Sequence, residues 1–502
     1  METLGSAAVE GLGLVFSWPN LLYPIVGTIL AMIFAFLPGV GGVTLMALAI
    51  PFTFSWDPLQ IVLLFGAFLG GATFMGSVTA VLFNVPGTAP NAATILDGHP
   101  MAERGEAATA ISCAASSSAL GSTFGVVVLI ALLPAMRPLI LSFGPLEFLL
   151  LTVWGLTTIA IVGGGSRIKG LATAGIGLLL AFVGLDPRTA EPRFTLGSDY
   201  LLDGLKIVPV LLGLFALSEI IHFATSGKVS ISGKLHNRDL TGSVKKGLFA
   251  PFLHFGLFIR SSVIGTVVGM IPGIGGTVAG FIAYGHAVQT SRGKQRFGKG
   301  DLRGVMAPEA ANDAKDAGSL VPAIAFGIPG SEATVLLLTV FTLHGIVPGR
   351  QLLDHNLSLV FALIWTLFFS NWMTSILGLL VSGHLARITT LRTQFLVPII
   401  LCLVASSAVV FRGSLTDLTV TVTFGVFGYF LKIFGWSRVT LMIALVLGSL
   451  FETNLHLTLQ LHDLGRLDLF DRPIAAVLFA LIVLTSLLPV ILARRRSKGG
   501  RP

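Results

Sequence analysis

The chain has 502 residues, of which 54% are hydrophobic and 11% are charged, and its mean hydropathy is +0.88. Soluble domains carry roughly 25% charged residues, so this composition excludes an ordinary soluble enzyme and a disordered chain. The formal net charge of +8 is spread too thinly to form a phosphate-binding face, which excludes a nucleic-acid-binding module. We therefore expect an all-α polytopic membrane protein. Because one crossing needs about 20 apolar residues, the length allows about 11–12 membrane segments.

Apolar runs follow one another along the whole chain, and several are too long for one simple helix. They cover residues 20–54, 58–98, 106–134, 145–163, 168–185, 204–224, 248–289, 304–346, 355–384, 395–412, 416–434, 438–452 and 473–493. The long runs are interrupted by Pro-Gly pairs at Pro38-Gly39, Pro86-Gly87, Pro272-Gly273 and Pro329-Gly330. Proline removes a backbone donor and glycine permits non-helical torsions, so these pairs predict broken helices.

The interrupted runs belong to an internal repeat. Pro38-Gly39-Val40-Gly41-Gly42 recurs 234 residues later as Pro272-Gly273-Ile274-Gly275-Gly276. Gly76-Ser77 followed by Pro86-Gly87-Thr88 likewise matches Gly318-Ser319 followed by Pro329-Gly330-Ser331. Two matches in the same order predict two homologous halves. We place the first repeat at 15–225, a basic linker at 226–247, the second repeat at 248–455 and an extra transmembrane helix at 473–493.

Basic residues are concentrated in three patches, which the positive-inside rule places in the cytoplasm. The patches contain Lys228, Lys234, Arg238, Lys245 and Lys246; Arg292, Lys294, Arg296, Lys299 and Arg303; and Arg494, Arg495, Arg496, Lys498 and Arg501. No Lys or Arg precedes Arg104, which predicts an outside N-terminus. The turn at 55–57 has no basic residue, whereas its counterpart 292–303 is strongly basic. We therefore expect two inverted-topology repeats, each beginning with a re-entrant hairpin.

Inverted repeats with paired broken helices are typical of secondary transporters, whose binding sites lie near the middle of the bilayer. Backbone amides freed at a break need a partner, and a bound anion supplies one. We therefore expect a carboxylate between the mirrored breaks. The candidate substrate-binding residues are Gly39, Gly41, Gly42, Pro86, Gly87, Thr88, Gly273, Gly275, Gly276, Pro329, Gly330 and Ser331.

Neutral amides and hydroxyls beside the breaks suit Na⁺ as well as a carboxylate. The candidate Na⁺ ligands are Asn84, Asn312, Ser77 and Ser319. Capping of half-helices is the alternative role for such side chains. Glu309, Asp313 and Asp316 form a polar run after the second basic patch, and Pro308 suggests the first turn of a helix there. This run predicts either compensation of the helix dipole or coupling to a cation or proton.

Two other functional classes compete with a transporter. An ion or solute channel also uses broken helices. An intramembrane enzyme would need a nucleophile or an acid pair, for which Ser116-Ser117-Ser118 or Glu309 and Asp313 are available, but no GxSG or GxGD-type element accompanies them. The ten histidines form no HExxH or comparable cluster. We therefore expect no enzyme activity, and no cofactor apart from Na⁺ or H⁺ as the coupling ion.

The residues around the breaks form a specific set of motifs over nearly the whole chain. They are Pro38-Gly39-Val40-Gly41-Gly42, Gly76-Ser77 to Asn84-Val85-Pro86-Gly87, Asp97-Gly98-His99-Pro100-Met101-Ala102, Glu309-Ala310-Ala311-Asn312, Gly327-Ile328-Pro329-Gly330-Ser331 and His344-Gly345-Ile346-Val347-Pro348-Gly349. Together they resemble the large membrane subunit of tripartite tricarboxylate transporters. The resemblance implies a bacterial inner-membrane permease importing citrate-like or other carboxylates with Na⁺ or a proton. It also implies a small membrane subunit and a periplasmic solute-binding protein as partners, besides the lipid bilayer.

Two positions differ from this family. Phe74-Met75-Gly76 stands where the family usually has a tyrosine and paired glycines, and Asn312-Asp313 stands where it often has Asn-Asn. The additional carboxylate makes Asp313 a candidate coupling residue. With the charge pattern, the resemblance predicts a periplasmic N-terminus and a cytoplasmic C-terminus.

Overall fold

The computed structural model describes residues 4–37, 41–162, 166–226, 243–273, 275–385, 393–465 and 472–498. The α-helices among them are α1 (Leu4–Phe16), α2 (Leu22–Phe36), α3 (Gly41–Ala49), α4 (Pro58–Gly71), α5 (Thr73–Phe83), α6 (Ala92–Glu103), α7 (Ala107–Leu141), α8 (Pro145–Val162), α9 (Arg167–Ala181), α10 (Ile207–Leu211), α11 (Ser218–Ser226), α12 (Val244–Leu248), α13 (Ala250–Leu253), α14 (Phe255–Met270), α15 (Gly275–Thr290), α16 (Leu302–Phe326), α17 (Glu332–Leu343), α18 (Arg350–His355), α19 (Leu357–Leu385), α20 (Thr393–Arg412), α21 (Leu415–Ile433), α22 (Arg438–Asp463) and α23 (Pro473–Lys498). A π-helical segment, Leu212–Leu217, joins α10 to α11. The expected all-α class is confirmed.

Four described segments are long and apolar enough to cross a membrane: Pro58–Phe83, Ala107–Leu141, Leu357–His384 and Arg438–Asp463. Ten further apolar helices have 10–17 residues. The helices are thus those of a multi-pass membrane protein. The number of crossings, the re-entrant hairpins and the domain boundaries stay predictions. Most of the linker predicted at 226–247 lies outside the described residues.

The helices that lead into the first repeated motif end in the same way. After α2 and α14, Leu37 and Ile271 adopt extended backbone and donate their N–H groups to the carbonyls of Phe34 and Val268, at 3.1 and 3.2 Å. Helix resumes at α3 and α15. Pro38, Gly39, Val40 and Ile274 lie outside the described residues. Both ends agree with a helix break at this motif.

The second repeated motif also breaks the helix in both halves. α5 is followed by Asn84 at φ 57° and α16 by Gly327 at φ 66°, both left-handed conformations that end a helix. Thr88 then precedes a 3-10 turn, Ala89–Asn91, that leads into α6. Ser331 is the N-cap of α17.

The prediction that Pro308 lies in the first turn of a helix was wrong. Asp301 is the N-cap of α16 and accepts a hydrogen bond from the N–H of Arg303 at 3.0 Å. This cap starts the helix before the polar run, so Pro308 and Glu309 lie inside α16. Compensation of the helix dipole by a first-turn Glu309 is thereby excluded, because that effect is confined to the terminal turn.

Helices of the two halves pack against each other in a reciprocal pattern. α4 packs on α19, and α16 packs on α7. Glycines permit both contacts: a Cβ on Gly70 would lie 2.5 Å from the carbonyl oxygen of Leu367, and one on Gly121 2.5 Å from that of Ala310. Each half therefore supports a long helix of the other. The inverted orientation of the halves stays a prediction.

A short hairpin between α9 and α10 pairs β1 (Gly184–Leu185) with β2 (Pro192–Arg193). Arg193 forms an ion pair with Asp186 within the hairpin at 3.1 Å, and it joins the hairpin to α22 through an ion pair with Glu452 at 2.6 Å. The N–H groups of Thr189 and Arg188, together with the Arg193 charge, lower the pKa of Asp186. The guanidinium of Arg193 thus already compensates both carboxylates.

Candidate functional site

Four helix beginnings surround one cavity between the two halves, which we call the central cavity. Its volume is about 60 Å³. Its lining comprises Gly42, Val43, Met46, Phe68, Leu69, Ala72, Thr73, Thr88, Pro90, Gly276, Asn312, Lys315, Asp316, Ser331, Glu332 and Ala333. α3 and the turn before α6 come from the first half, and α15 and α17 from the second. Because helix N-termini carry unpaired amides and positive partial charge, this arrangement favours an anion.

Five residues predicted from the repeated motifs line this cavity: Gly42, Thr88, Gly276, Asn312 and Ser331. The predicted Gly41, at φ 62°, borders Thr88, because a Cβ on it would lie 3.7 Å from Thr88 Cγ2. The predicted Gly275 has φ 74° and open space where a side chain would stand. The two halves therefore bring equivalent motif residues to one place.

The paired glycines of the first motif have different surroundings. A Cβ on Gly276 would lie 2.8 Å from Pro90 Cγ and 3.0 Å from both Asn312 Oδ1 and Lys315 Nζ, and all three residues line the central cavity, so Gly276 keeps the cavity open. A Cβ on Gly42 would lie 2.5 Å from Ala72 Cβ, which is a helix-packing contact. Substitution of Gly276 therefore tests the cavity, whereas substitution of Gly42 also disturbs the fold.

The three described Pro-Gly pairs do not line the central cavity. A Cβ on Gly87 would lie 2.5 Å from Gly76 Cα, and one on Gly330 2.6 Å from the carbonyl oxygen of Gly269. A Cβ on Gly273 would collide with Ile159. These glycines allow close backbone packing at the breaks. Among the described cavity-lining residues, none is Pro86, Gly87, Gly273, Pro329 or Gly330.

A buried ion pair lies at the wall of the central cavity. Lys315 Nζ is 2.5 Å from Asp316 Oδ1, and the two side chains are 7% and 4% exposed. Thr73 of α5 donates a hydrogen bond to Asp316 Oδ2 at 3.1 Å. Glu332, the first residue of α17, lines the same cavity. The described cavity lining thus contains one cationic side chain and two carboxylates.

Glu309 is fully buried on α16 and receives its hydrogen bonds from the first half. Ser77 Oγ donates to Glu309 Oε2 at 2.6 Å, and Thr94 Oγ1 donates to Oε1. Asn91 Nδ2 donates to Ser77 Oγ at 2.7 Å, and Thr88 Oγ1 donates to Asn91 Oδ1. A chain of hydrogen bonds therefore runs from Thr88 at the central cavity to the Glu309 carboxylate.

Asp313 faces away from this chain of hydrogen bonds. Its Oδ1 accepts a hydrogen bond from Asn371 of α19 at 2.5 Å, and it is not among the described cavity-lining residues. Asn312, one residue earlier, is 1% exposed and lines the cavity, and neither of its amide atoms has a hydrogen-bond partner among the described residues. A buried amide without partners is available to a ligand.

The four candidate Na⁺ ligands do not form one cluster. Ser77 bonds to Glu309, and Ser319 donates to the Asp316 carbonyl in its own helix at 2.8 Å. Asn84 is exposed at the end of α5 and is absent from the described cavity lining. The predicted Gly39 lies outside the described residues. Na⁺ coordination by this set stays a prediction.

Sequence reasoning did not select Lys315, Glu332 or Thr73 for the site. Helical spacing is the signal for Lys315, because residues three and four positions after Asn312 share its face of α16. Glu332 directly follows the predicted Ser331. Thr73 carries no comparable signal, since only the packing of α5 on α16 brings it to Asp316.

Comparisons with known proteins find similarity over most of the chain. A family model described as "Tripartite tricarboxylate transporter TctA family" matches residues 21–443. An uncharacterized 52.8 kDa protein in the TAR-I ttuC' 3' region of Agrobacterium vitis is 29% identical over 482 residues, 95% of each chain. An uncharacterized protein in the TAR-II ttuC' 3' region of the same organism is 29% identical over 234 residues, 46% of this chain and 97% of that protein. No solved structure matches the chain. Because the family model spans most of its length, the chain belongs to the tripartite tricarboxylate transporter TctA family.

Proposed function

We propose that this chain imports a tricarboxylate or related carboxylate by Na⁺-coupled secondary transport, as the large membrane subunit of a binding-protein-dependent tripartite system. The observation that carries the proposal is the convergence of four helix N-termini, two from each half, on the central cavity. Their amides and Lys315 supply positive charge, and Thr88, Asn312 and Ser331 supply neutral hydrogen-bonding groups. A carboxylate is the anion whose charge and acceptor atoms suit this set.

Charge balance supports coupling to a cation. Asp316 and Glu332 outnumber Lys315 in the cavity lining, so the side chains alone carry net negative charge, which opposes the attraction of the helix amides for an anion. Like charges in a dry site repel strongly. A co-transported Na⁺ bound to these oxygens, or a proton on one of them or on Glu309, which a chain of hydrogen bonds joins to Thr88 at the cavity, removes the repulsion. Substrate and cation then enter together, as in symport.

The proposed partners are a small membrane subunit and a periplasmic solute-binding protein, which delivers the carboxylate from outside. We propose an inner-membrane location with the turn at 55–57 in the periplasm and the loop at 292–303 in the cytoplasm. An impermeant thiol reagent applied to intact cells should label Ser55→Cys but not Gly298→Cys. Labelling of both positions, or of Gly298→Cys alone, would refute this orientation.

Uptake of a panel of carboxylates into proteoliposomes tests the proposed function. At Gly276, a Cβ crowds the cavity-lining Pro90, Asn312 and Lys315, so we expect Gly276→Ala to raise the half-saturating substrate concentration by about tenfold. Gly280→Ala is the matched control one turn later on α15, where a Cβ would lie 3.3 Å from the carbonyl of Pro90. Equal effects of the two variants at matched protein levels would show that the substrate does not bind in this cavity. Absence of Na⁺- or proton-driven uptake of every carboxylate would reject the function.

A further inference from the structure

A second, larger cleft lies at the loop between α15 and α16. Its volume is about 630 Å³, and we call it the basic cleft. Its lining contains six Lys or Arg side chains, namely Arg104, Lys246, Arg292, Arg296, Lys299 and Arg303. Two carboxylates, Glu106 and Asp301, and His254 line it as well. The basic cleft therefore has a strong positive charge that the central cavity lacks.

Two of the six cations are already paired. Arg104 forms an ion pair with Glu106 at 3.1 Å, and Arg303 forms one with Asp301 at 2.7 Å. The other four, Lys246, Arg292, Arg296 and Lys299, have no ion-pair partner among the described residues. Positive charges gathered in one concave surface repel each other, and a bound anion relieves that repulsion.

The loop that supplies these cations is held in place. The N–H groups of Gly300 and Asp301 donate to Oδ1 of the buried Asp97 at 2.7 and 2.8 Å. Arg104 donates to the carbonyl of Gly300 at 2.7 Å and to that of Lys299. Both contacts join α6 and the residue after it to the α15–α16 loop. Hydrogen bonds within the chain thus hold the loop that lines the cleft.

Exposed apolar side chains lie on the same stretch of chain as Lys246 and His254 of the cleft. Phe249, Phe252, Leu253 and Phe255, which we call the apolar ridge, are 59%, 58%, 69% and 58% exposed. Phe249 caps α13, Phe252 and Leu253 lie in it, and Phe255 is the first residue of α14, an apolar helix. Aromatic rings next to basic residues at the end of a membrane helix are typical of contact with the lipid interface.

We infer that the basic cleft binds the phosphate headgroup of an anionic phospholipid, with the acyl chains lying along the apolar ridge. The four cations without partners supply the headgroup charge recognition, and the ridge explains why a lipid is favoured over a soluble anion. Basic pockets beside membrane helices recognise anionic headgroups in this way. The site is separate from the central cavity and independent of the transported substrate.

Native mass spectrometry of the full-length protein in detergent tests this inference. Phosphatidylglycerol should bind more tightly than phosphatidylcholine with the same acyl chains. In the double variant Arg292→Gln/Arg296→Gln, phosphatidylglycerol binding should weaken roughly 30-fold, because each cation near a headgroup contributes about 1 kcal/mol. Lys294→Gln is the matched control, since Lys294 is exposed in the same loop but does not line the cleft. It should bind like the unmodified chain.

Three outcomes would overturn the inference. One is equal binding of the two lipids, and another is equal binding by the double variant and Lys294→Gln at equal melting temperatures. The third is full displacement of phosphatidylglycerol by millimolar inorganic phosphate, which would assign the cleft to a soluble anion. A Phe252→Ser variant also distinguishes a lipid from a soluble anion, because loss of an exposed ring should weaken lipid binding and leave phosphate binding unchanged.

Discussion

The two long helical segments that follow the first motif in each half differ in charge. The segment formed by α4 and α5 carries no charged side chain, whereas α16 carries Arg303 in its first turn and Glu309, Asp313, Lys315 and Asp316 in its middle. The matched serines show the consequence. Ser77 donates its hydrogen bond across the interface to Glu309, but Ser319 bonds to a carbonyl of its own helix. The charged groups thus belong to the second half.

This difference indicates a division of roles. The second half supplies the ionisable groups, and the first half supplies the neutral side chains that stabilise them, including Thr73 on Asp316 and Thr94 on Glu309. Buried charges need such donors, because an unpartnered one costs several kcal/mol. Neither half forms the site alone. Substitutions of the ionisable residues in α16 should therefore change which ions and substrates act on the transporter. Substitutions of the neutral donors in α5 should mainly change how tightly they bind.

The largest effect is expected at Glu309. Glu309→Gln keeps the side-chain shape but removes the charge that Ser77 and Thr94 stabilise, so activation of uptake by Na⁺ or by a proton gradient should be lost. Ser77→Ala removes one donor and should cost about 1–3 kcal/mol of stability while preserving cation activation. Uptake at varied Na⁺ concentration and pH measures cation activation in both variants, and the melting temperature measures the loss of stability in Ser77→Ala. Normal cation activation in Glu309→Gln would show that this carboxylate does not couple transport.

A smaller but still large effect is expected at Lys315. Lys315→Met removes the one cation of the described cavity lining, so substrate affinity should fall by about 10- to 100-fold. The variant also leaves Asp316 buried without its partner, which costs about 3–5 kcal/mol of stability.

The double variant Lys315→Met/Asp316→Asn separates the two consequences of losing Lys315. It should restore the melting temperature, because Asp316 no longer carries a buried charge without its partner, but it should not restore substrate affinity. Recovery of both would mean that Lys315 serves only the fold.

The two predicted asparagine ligands should behave differently. Asn312→Ala removes an unpartnered amide from the central cavity, and we expect it to weaken Na⁺ activation of uptake by about tenfold. Asn84→Gly should leave activation within about twofold, since Asn84 is exposed and glycine adopts its left-handed conformation readily. Equal loss of Na⁺ activation in the two variants would show that Asn84 belongs to the ion site in another conformation of the transporter.

The sequence was sufficient to locate the helix breaks and five of the sixteen cavity-lining residues. Proline and glycine act locally, so the ends of α5 and α16 follow from their own motifs. Side-chain direction does not follow from nearness to a break. Asn84 lies two residues before Pro86 and ends a helix facing away from the cavity. The partners of Glu309 depend on packing between segments more than 200 residues apart, which no local pattern contains.

In the proposed function one carboxylate contacts both halves at once, and substrate protection of introduced cysteines distinguishes this shared site from two separate ones. Thr88→Cys and Ser331→Cys, each placed in a Cys402→Ala background to remove the exposed native thiol, report on the two halves. Labelling by a small thiol reagent is measured in purified protein at increasing carboxylate concentration. We predict protection at both positions with the same half-protecting concentration, because the same ligand covers both. Protection at one position alone, or at clearly different concentrations, would contradict a shared site.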